Sequence, residues 1–383
     1  MSNISLLVLT REYPVGYAGT KRVQHLIEYL KKDGIAVTVI SYRSKRRIEQ
    51  EIGIYNSIPY IRIGSGIVPK PRNIARMIYA YFQLLILICR TKARNKKNIL
   101  YCYGGIDIEN FIAIFFSKIL GYKIIFDLVE DFAGFSDHVK LSSKIKFWSV
   151  KKLDLFNVRV SNAIVVISAY LFKKYELLNA KHLTLIPITA NTQDKILLRY
   201  SFNTPFTIAY AGSFGDKDGV ELIIQGFLQF NKKVPGSKLI LIGAGDQKEY
   251  YNNKYSNDES IRFTGFIPDA EYYSLIREAD VLCMCRTGSS YANAGFPFKL
   301  GEYLATGNPV IATNVSNVNL YLDERSVFLI EPDNTQQYID ALVYIYNHPA
   351  EAFKIGYNGY IKCKEHFSPE LNSKILIRLI EKL

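Results

Sequence analysis

Cysteine, histidine, methionine and tryptophan are scarce in these 383 residues: five, five, three and one. The cysteines (Cys89, Cys102, Cys283, Cys285, Cys363) form an odd, scattered set. That argues against a disulfide framework and for a reducing compartment. Cys283 and Cys285 share one expected strand and read as buried thiols, since no Cys or His pair completes a metal set. The histidines lack metal spacing, and no Ser/His/Asp or Cys/His nucleophile pattern occurs. Long apolar runs are lacking as well. The longest, Met77–Cys89, is too short to cross a bilayer. The start, MSNISLLVLTREYP, has no basic leader and reads as a first buried strand, not a signal peptide. No low-complexity segment is present.

Acidic residues are short in one half only. Residues 1–200 hold 31 Lys and Arg against 14 Asp and Glu, a net +17; residues 201–383 hold 17 against 21, a net −4. A basic first half implies an anionic partner for that half. Met77–Cys89 is bordered by Arg72, Arg76, Arg90, Lys92, Arg94, Lys96 and Lys97. Lys140, Lys144, Lys146, Lys151 and Lys152 surround Phe147 and Trp148. Basic residues beside apolar and aromatic ones suit an anionic membrane surface. Met77–Cys89 taken alone equally fits a core helix with solvated basic ends.

With 49% hydrophobic residues the chain is a folded globular protein, long enough for two domains. Apolar runs read as strands at Ile4–Thr10, Ile35–Ser41, Tyr60–Ile63, Asn98–Tyr103, Lys123–Val129 and Ala163–Ser168. Lys21–Lys32 is helical, with Val23, Leu26, Ile27 and Leu30 on one face. A second series runs Phe206–Gly212, Lys238–Gly243, Ile261–Thr264, Asp280–Cys285, Pro309–Thr313 and Val327–Ile330. Strands alternating with helices predict an α/β protein of two doubly wound, Rossmann-like halves. The rhythm lapses at 187–205, so domains are expected over 1–190 and 191–368. An amphipathic helix follows at 369–383.

The run Phe296–Thr313, FPFKLGEYLATGNPVIAT, carries the most information. It reads as a turn, a short helix opened by Pro297 and ended near Gly307, and a buried strand. A helix start offers free N–H groups and a positive dipole end, which suit a phosphate. Lys299 and Glu302 are three apart and share a face. An ammonium beside a diphosphate and a carboxylate beside sugar hydroxyls would suit a nucleotide-sugar.

This run resembles the donor-site signature of GT-B fold glycosyltransferases, in particular family 4. The resemblance implies that the two domains face each other across a cleft and that the final helix crosses back to the first. It implies a donor ribose at Glu302 and a diphosphate at the helix start, with Phe298, Lys299 and Leu300. Tyr210–Val220, YAGSFGDKDGV, occupies the place of the family's phosphate turn, marked by Gly212. Ser213 stands where an Arg is usual and Asp218 where a Lys is usual, with Lys217 one residue early. Lys299 and Arg286 are expected to supply the missing charge. Ile261–Ile267 matches the segment whose backbone meets the nucleobase, at Phe266 and Ile267. The family's first Glu is replaced by Ala294, and its N-domain His by Asp127.

Asp127, Glu130 and Asp131 cluster at a strand end, where open α/β sheets bind ligands. They are read either as acceptor-binding or charge-stabilising groups, or as caps and salt-bridge partners of nearby lysines. Asp127, Glu130 and Lys299 are the catalytic candidates. In Thr10–Arg22, Gly16 and Gly19 permit close approach of a ligand and Thr20 would cap the helix; a plain strand-to-helix turn is the other reading. With Asp131 and His138 they form the expected acceptor loops. Asp216 and Asp218 have the spacing of a metal-binding pair, but capping fits a turn before a helix better. No metal and no cofactor are expected.

The resulting expectation is a retaining glycosyltransferase. It would move a hexose or N-acetylhexosamine, with UDP-sugar favoured, to a lipid-linked or oligosaccharide acceptor in cell-surface polysaccharide assembly. Its place would be cytoplasmic, on the inner membrane face, through the basic first domain. Two other readings stand: a GT-B-like nucleotide-sugar epimerase, and a non-catalytic basic module on anionic lipid or nucleic acid.

Overall fold

The computed structural model describes residues 3–16, 18–42, 51–63, 74–107, 109–131, 155–192, 196 and 199–383. His138 and the basic run 140–152 lie outside the described residues. The chain forms two compact units, 1–189 with 369–383, and 190–368.

In the first unit, β1 (Ile4–Thr10), β2 (Ala36–Ser41), β3 (Ile52–Tyr55), β4 (Ile58–Arg62), β5 (Lys97–Tyr103), β6 (Lys123–Leu128), β7 (Ala163–Val166) and β8 (Leu183–Leu185) make one sheet. The order is β3-β4-β2-β1-β5-β6-β7-β8, parallel except for the β3–β4 hairpin. Helices α1 (Ala18–Lys32), α2 (Ile74–Thr91), α3 (Phe111–Ile119) and α4 (Ala169–Leu177) accompany these strands. Val23, Leu26, Ile27 and Leu30 of α1 are all fully buried. They share a core with Leu376, Leu379 and Ile380, which arrive from the far end of the chain.

In the second unit the strands are β9 (Thr207–Gly212), β10 (Lys238–Gly243), β11 (Ile261–Gly265), β12 (Val281–Met284), β13 (Val310–Thr313) and β14 (Phe328–Ile330). Their order, β11-β10-β9-β12-β13-β14, is wholly parallel. The order in which successive strands are added therefore reverses between β9 and β12, the topological switch point where such sheets bind ligands at strand carboxyl ends. The helices are α5 (Val220–Lys233), α6 (Lys248–Tyr255), α7 (Asp269–Glu278), α8 (Ser290–Ala294), α9 (Phe298–Leu304), α10 (Thr335–Asn347) and α11 (Pro349–Phe367). After α11 the chain re-enters the first unit as α12 (Pro369–Glu381), which packs along α1.

Two glycines fit because backbone lies against them. A Cβ on Gly219 (φ +61°) would stand 1.7 Å from the Cys285 carbonyl oxygen, and one on Gly243 (φ +125°) 2.0 Å from that of Gly212. The turns after β9 and β10 are thus closed by contact with their neighbours. All five thiols are free; Cys283, Cys285 and Cys363 are buried, and burial pushes Cys283 and Cys363 up to about 12.

Candidate functional site

Three segments of the second unit meet at its switch point. The turn after β9 carries Gly212, Ser213 and Lys217. The turn after β12 carries Arg286. Helix α9 is fixed to β9 by buried Tyr303, whose hydroxyl accepts from the Ala211 N–H at 2.6 Å and donates to its carbonyl at 3.2 Å. The two turns are joined where Thr287 N–H donates to Lys217 O at 3.1 Å.

Lys299 and Glu302 meet on α9, with Lys299 Nζ 3.0 Å from Glu302 Oε2. Tyr272 of α7 donates to the same oxygen at 2.6 Å, and Tyr273 donates to Oε1 at 3.3 Å. The Lys299 ammonium also lies 3.9 Å from the centre of the Tyr272 ring, a cation–π contact. Burial first, then the Glu302 charge, raises the Tyr272 phenol well above its ordinary pKa. The result is a carboxylate held by two phenols and an ammonium. A part-exposed carboxylate fixed in this way can accept from vicinal hydroxyls without first being reoriented. Neither tyrosine stands out in the sequence, since each lies about thirty residues before its partner.

Arg286 is 8% exposed; its Nη1 donates to Ala292 O at 3.4 Å, and its Nε has no hydrogen-bond partner. A buried, incompletely paired guanidinium is a strong candidate to meet an anion. Lys217 lies 4.2 Å over the Tyr291 ring. Phe266 and Ile267 follow β11 and lead directly into α7; Phe266 is exposed.

Several expectations are corrected. Pro297 precedes the helix rather than opening it, and α9 has only seven residues. Leu300 is fully buried and its N–H donates to Pro297 O, so neither its side chain nor its amide is presented to a ligand. Ser213 donates to Asp218 Oδ2 at 2.7 Å, and Gly215 N–H donates to the same atom at 3.0 Å. Asp218 therefore closes its own turn, while Asp216 accepts from Gln247 at 2.6 Å.

In the first unit the acidic run divides. Asp127 is fully buried and accepts from Arg22 Nε at 2.8 Å, Arg22 Nη2 at 3.0 Å and the Tyr101 hydroxyl at 2.5 Å. Burial alone would lower the Arg22 pKa; the Asp127 charge and hydrogen bond outweigh it and raise it. Arg22 also donates to the Ile186 and Pro187 carbonyls. A carboxylate with both oxygens so engaged and no exposure cannot touch a substrate, so the catalytic role expected for Asp127 is replaced by a structural one. Asp131 pairs with Lys174 at 3.0 Å, the salt-bridge reading of that residue. Glu130 is exposed. Thr20 does not cap: α1 begins at Ala18, and the Thr20 hydroxyl donates to Glu12 O at 3.1 Å. Gly16 faces Thr20, and Gly19 faces the Tyr103 ring. Both glycines are thus occupied by packing within the unit.

Residues 205–348 match the family described as glycosyl transferases group 1. A curated relative, phosphatidyl-myo-inositol mannosyltransferase of Mycobacterium leprae, is 25% identical over 139 residues, 36% of this chain and 36% of the relative. The match thus spans little more than a third of that relative's length. Among solved structures, sucrose-phosphate synthase from Thermosynechococcus elongatus superposes with TM-score 0.74 at 16% identity, covering 99% of this chain and 98% of that one. Anabaena HepE in complex with UDP and glucose gives 0.71 at 14% identity, covering 99% and 100%. The fold is GT-B.

Proposed function

We propose, for a chain with the GT-B fold and a glycosyl transferases group 1 segment at 205–348, that it transfers a sugar from a nucleoside diphosphate sugar to a lipid-linked or oligosaccharide acceptor. The observation that carries this reading is the Lys299–Glu302–Tyr272–Tyr273 cluster beside the β9–β12 switch point. Glu302 accepts the ribose hydroxyls. Lys299, Arg286 and Lys217 meet the diphosphate. Phe266 and Ile267 border the base. UDP is the favoured nucleotide; the UDP bound by Anabaena HepE supports it by fold likeness only.

In this reading the chemistry is electrostatic. As the glycosidic bond breaks, charge grows on the leaving diphosphate, and fixed cations stabilise it more than they stabilise the bound donor. The diphosphate oxygen takes the acceptor proton on the face it leaves, so configuration is retained. The cations of this chain take the role a metal fills elsewhere, and chelation by EDTA is expected to leave turnover unchanged. The first unit receives the acceptor, with solvent-exposed Glu130 as its candidate carboxylate. Placement at a membrane and work in cell-surface polysaccharide assembly belong to the same proposal. The membrane-lipid substrate named for the mycobacterial relative lends support to the first of these.

The test is a thermal-shift titration with UDP, GDP, ADP, CMP and their sugars on wild type and Glu302→Ala. Ligand at 100 times Kd raises stability by about 2.7 kcal/mol. A midpoint rise with one nucleotide, lost in the variant, supports the reading and names the donor class. The same rise in Glu302→Ala would remove Glu302 from the site.

A further inference from the structure

We infer that the outer face of α2 and α3, with the loop that follows α2, is a docking surface for an anionic lipid bilayer. The inference deepens the proposed reading by naming the surface through which the first unit would reach a lipid-linked acceptor.

Helix α2 is apolar on two sides. Ala80, Leu84 and Ile88 are fully buried against the unit. Ile78, Tyr79, Phe82 and Ile86 are 48%, 62%, 61% and 50% exposed. The core-helix reading of the Met77–Cys89 run thus holds for one face, and the other face is left apolar and exposed. Helix α3 packs beside α2 and repeats the pattern, burying Ala113 and Ile114 while exposing Phe111, Ile112, Phe115 and Ile119. The turn after α3 is tied to the end of α2 by the Tyr122 hydroxyl, which donates to Ile88 O at 3.0 Å. Eight apolar side chains exposed on two packed helices mark a candidate interaction site, since scattered single residues would need no explanation.

Charge selects the partner. Between 74 and 126 the only acidic residues are Asp107 and Glu109, which are 1% and 2% exposed. The solvent face of this stretch therefore carries cations alone. Arg90, Lys92, Arg94 and Lys96 are exposed at the end of α2. There Lys92, Arg94, Asn95 and Lys96 line an open depression of about 520 Å³. Buried Asn98 fixes this loop, accepting from Ala93 N–H at 2.9 Å and donating to the Ala93 and Lys96 carbonyls at 2.9 and 3.0 Å. Cations held at fixed spacing beside aromatic and aliphatic side chains match lipid phosphates beside acyl chains. A second copy of the chain fits worse, because pairing this face with itself would bring two cationic rims together. No helix among the described residues is long and apolar enough to cross a membrane, so the contact is with the surface.

The test is co-sedimentation of the full chain with vesicles of phosphatidylglycerol and phosphatidylcholine in equal parts, against phosphatidylcholine alone. Wild type should bind the anionic vesicles preferentially, and salt should release it. Each cation removed should weaken binding roughly fivefold, and Lys92→Ala with Arg94→Ala and Lys96→Ala on the order of 100-fold. Phe82→Ser with Ile86→Ser should abolish retention on the anionic vesicles. These side chains already face water, and the thermal midpoint of each variant checks its fold. Equal binding to both vesicle types, or no loss in either variant, would overturn the inference. So would concentration-dependent self-association, seen by ultracentrifugation without vesicles and lost with Phe82→Ser and Ile86→Ser. Nucleotide thermal shifts on the same variants separate the two proposals. Vesicle binding without any nucleotide shift defeats the transferase reading and leaves the surface standing.

Discussion

Tyr272 serves two neighbours at once. Its hydroxyl donates to Glu302 while its ring carries the Lys299 ammonium. Because its pKa is raised by burial and by Glu302, the phenol keeps its proton, and so its donor role, where an ordinary phenol would lose it. Tyr272→Phe removes that donor and leaves the ring. Hydrogen bonds to charged groups are worth about 1.5–3 kcal/mol, so nucleotide affinity by calorimetry is expected to fall ~10- to 100-fold. Unchanged affinity would mean that Glu302 is held well enough by Lys299 and Tyr273. Arg22 and Asp127 belong to stability instead. Arg22→Ala leaves an uncompensated buried carboxylate, and about 3–5 kcal/mol should disappear from denaturant unfolding. Glu302 and Lys299 could be picked out in the sequence because one short helix presents them together. Tyr272 could not, nor could the pairing of Arg22 with Asp127 across 105 positions. Such partners are set by tertiary packing, which leaves no local pattern to read.

At the scale of elements, parallel strands such as β1, β9 and β10 were legible because both faces are largely covered and their central residues are mostly apolar. Strands β3 and β8 were not. Ile52 and Ile54 of β3 are 71% and 76% exposed on an edge hairpin, so no inward face set a period. Strand β8 has three residues, all half-buried. The turn after β9 was legible as a glycine turn, but its purpose was not. Gly219 lies against the end of β12 and leaves no room for a methyl group. Gly219→Ala must both strain a left-handed backbone and push Cys285 away. We expect a loss of at least ~2 kcal/mol in denaturant unfolding and a weakened nucleotide shift, since the Lys217 turn moves with it. A wild-type melting curve for this variant would show the two turns to be less tightly coupled than the contact implies.

The whole molecule is built from a discontinuous first unit. Residues 369–383 return to it after the second unit is complete, and Leu376, Leu379 and Ile380 fill the core above α1. Ser373 reinforces the contact by donating to Leu26 O at 3.1 Å. A chain ending at 368 therefore loses more than a tail. Three buried aliphatic side chains contribute about 1.5–3 kcal/mol each, so the first unit of that variant should melt far earlier or stay unfolded. The second unit should still melt cooperatively in the same calorimetric scan. Two equal, unshifted transitions would show that α12 is dispensable.

The same return sets an order of assembly. Helix α1 emerges early in synthesis, with Val23, Leu26, Ile27 and Leu30 lacking part of their cover until α12 follows. At roughly 5–20 residues per second, the intervening unit delays that cover by about 10–40 s. During that interval the first unit is a nascent chain with an open hydrophobic seam along α1. Until α12 docks, this seam is the aggregation-prone surface of the growing chain, and the last residues of the fold are the ones that close it.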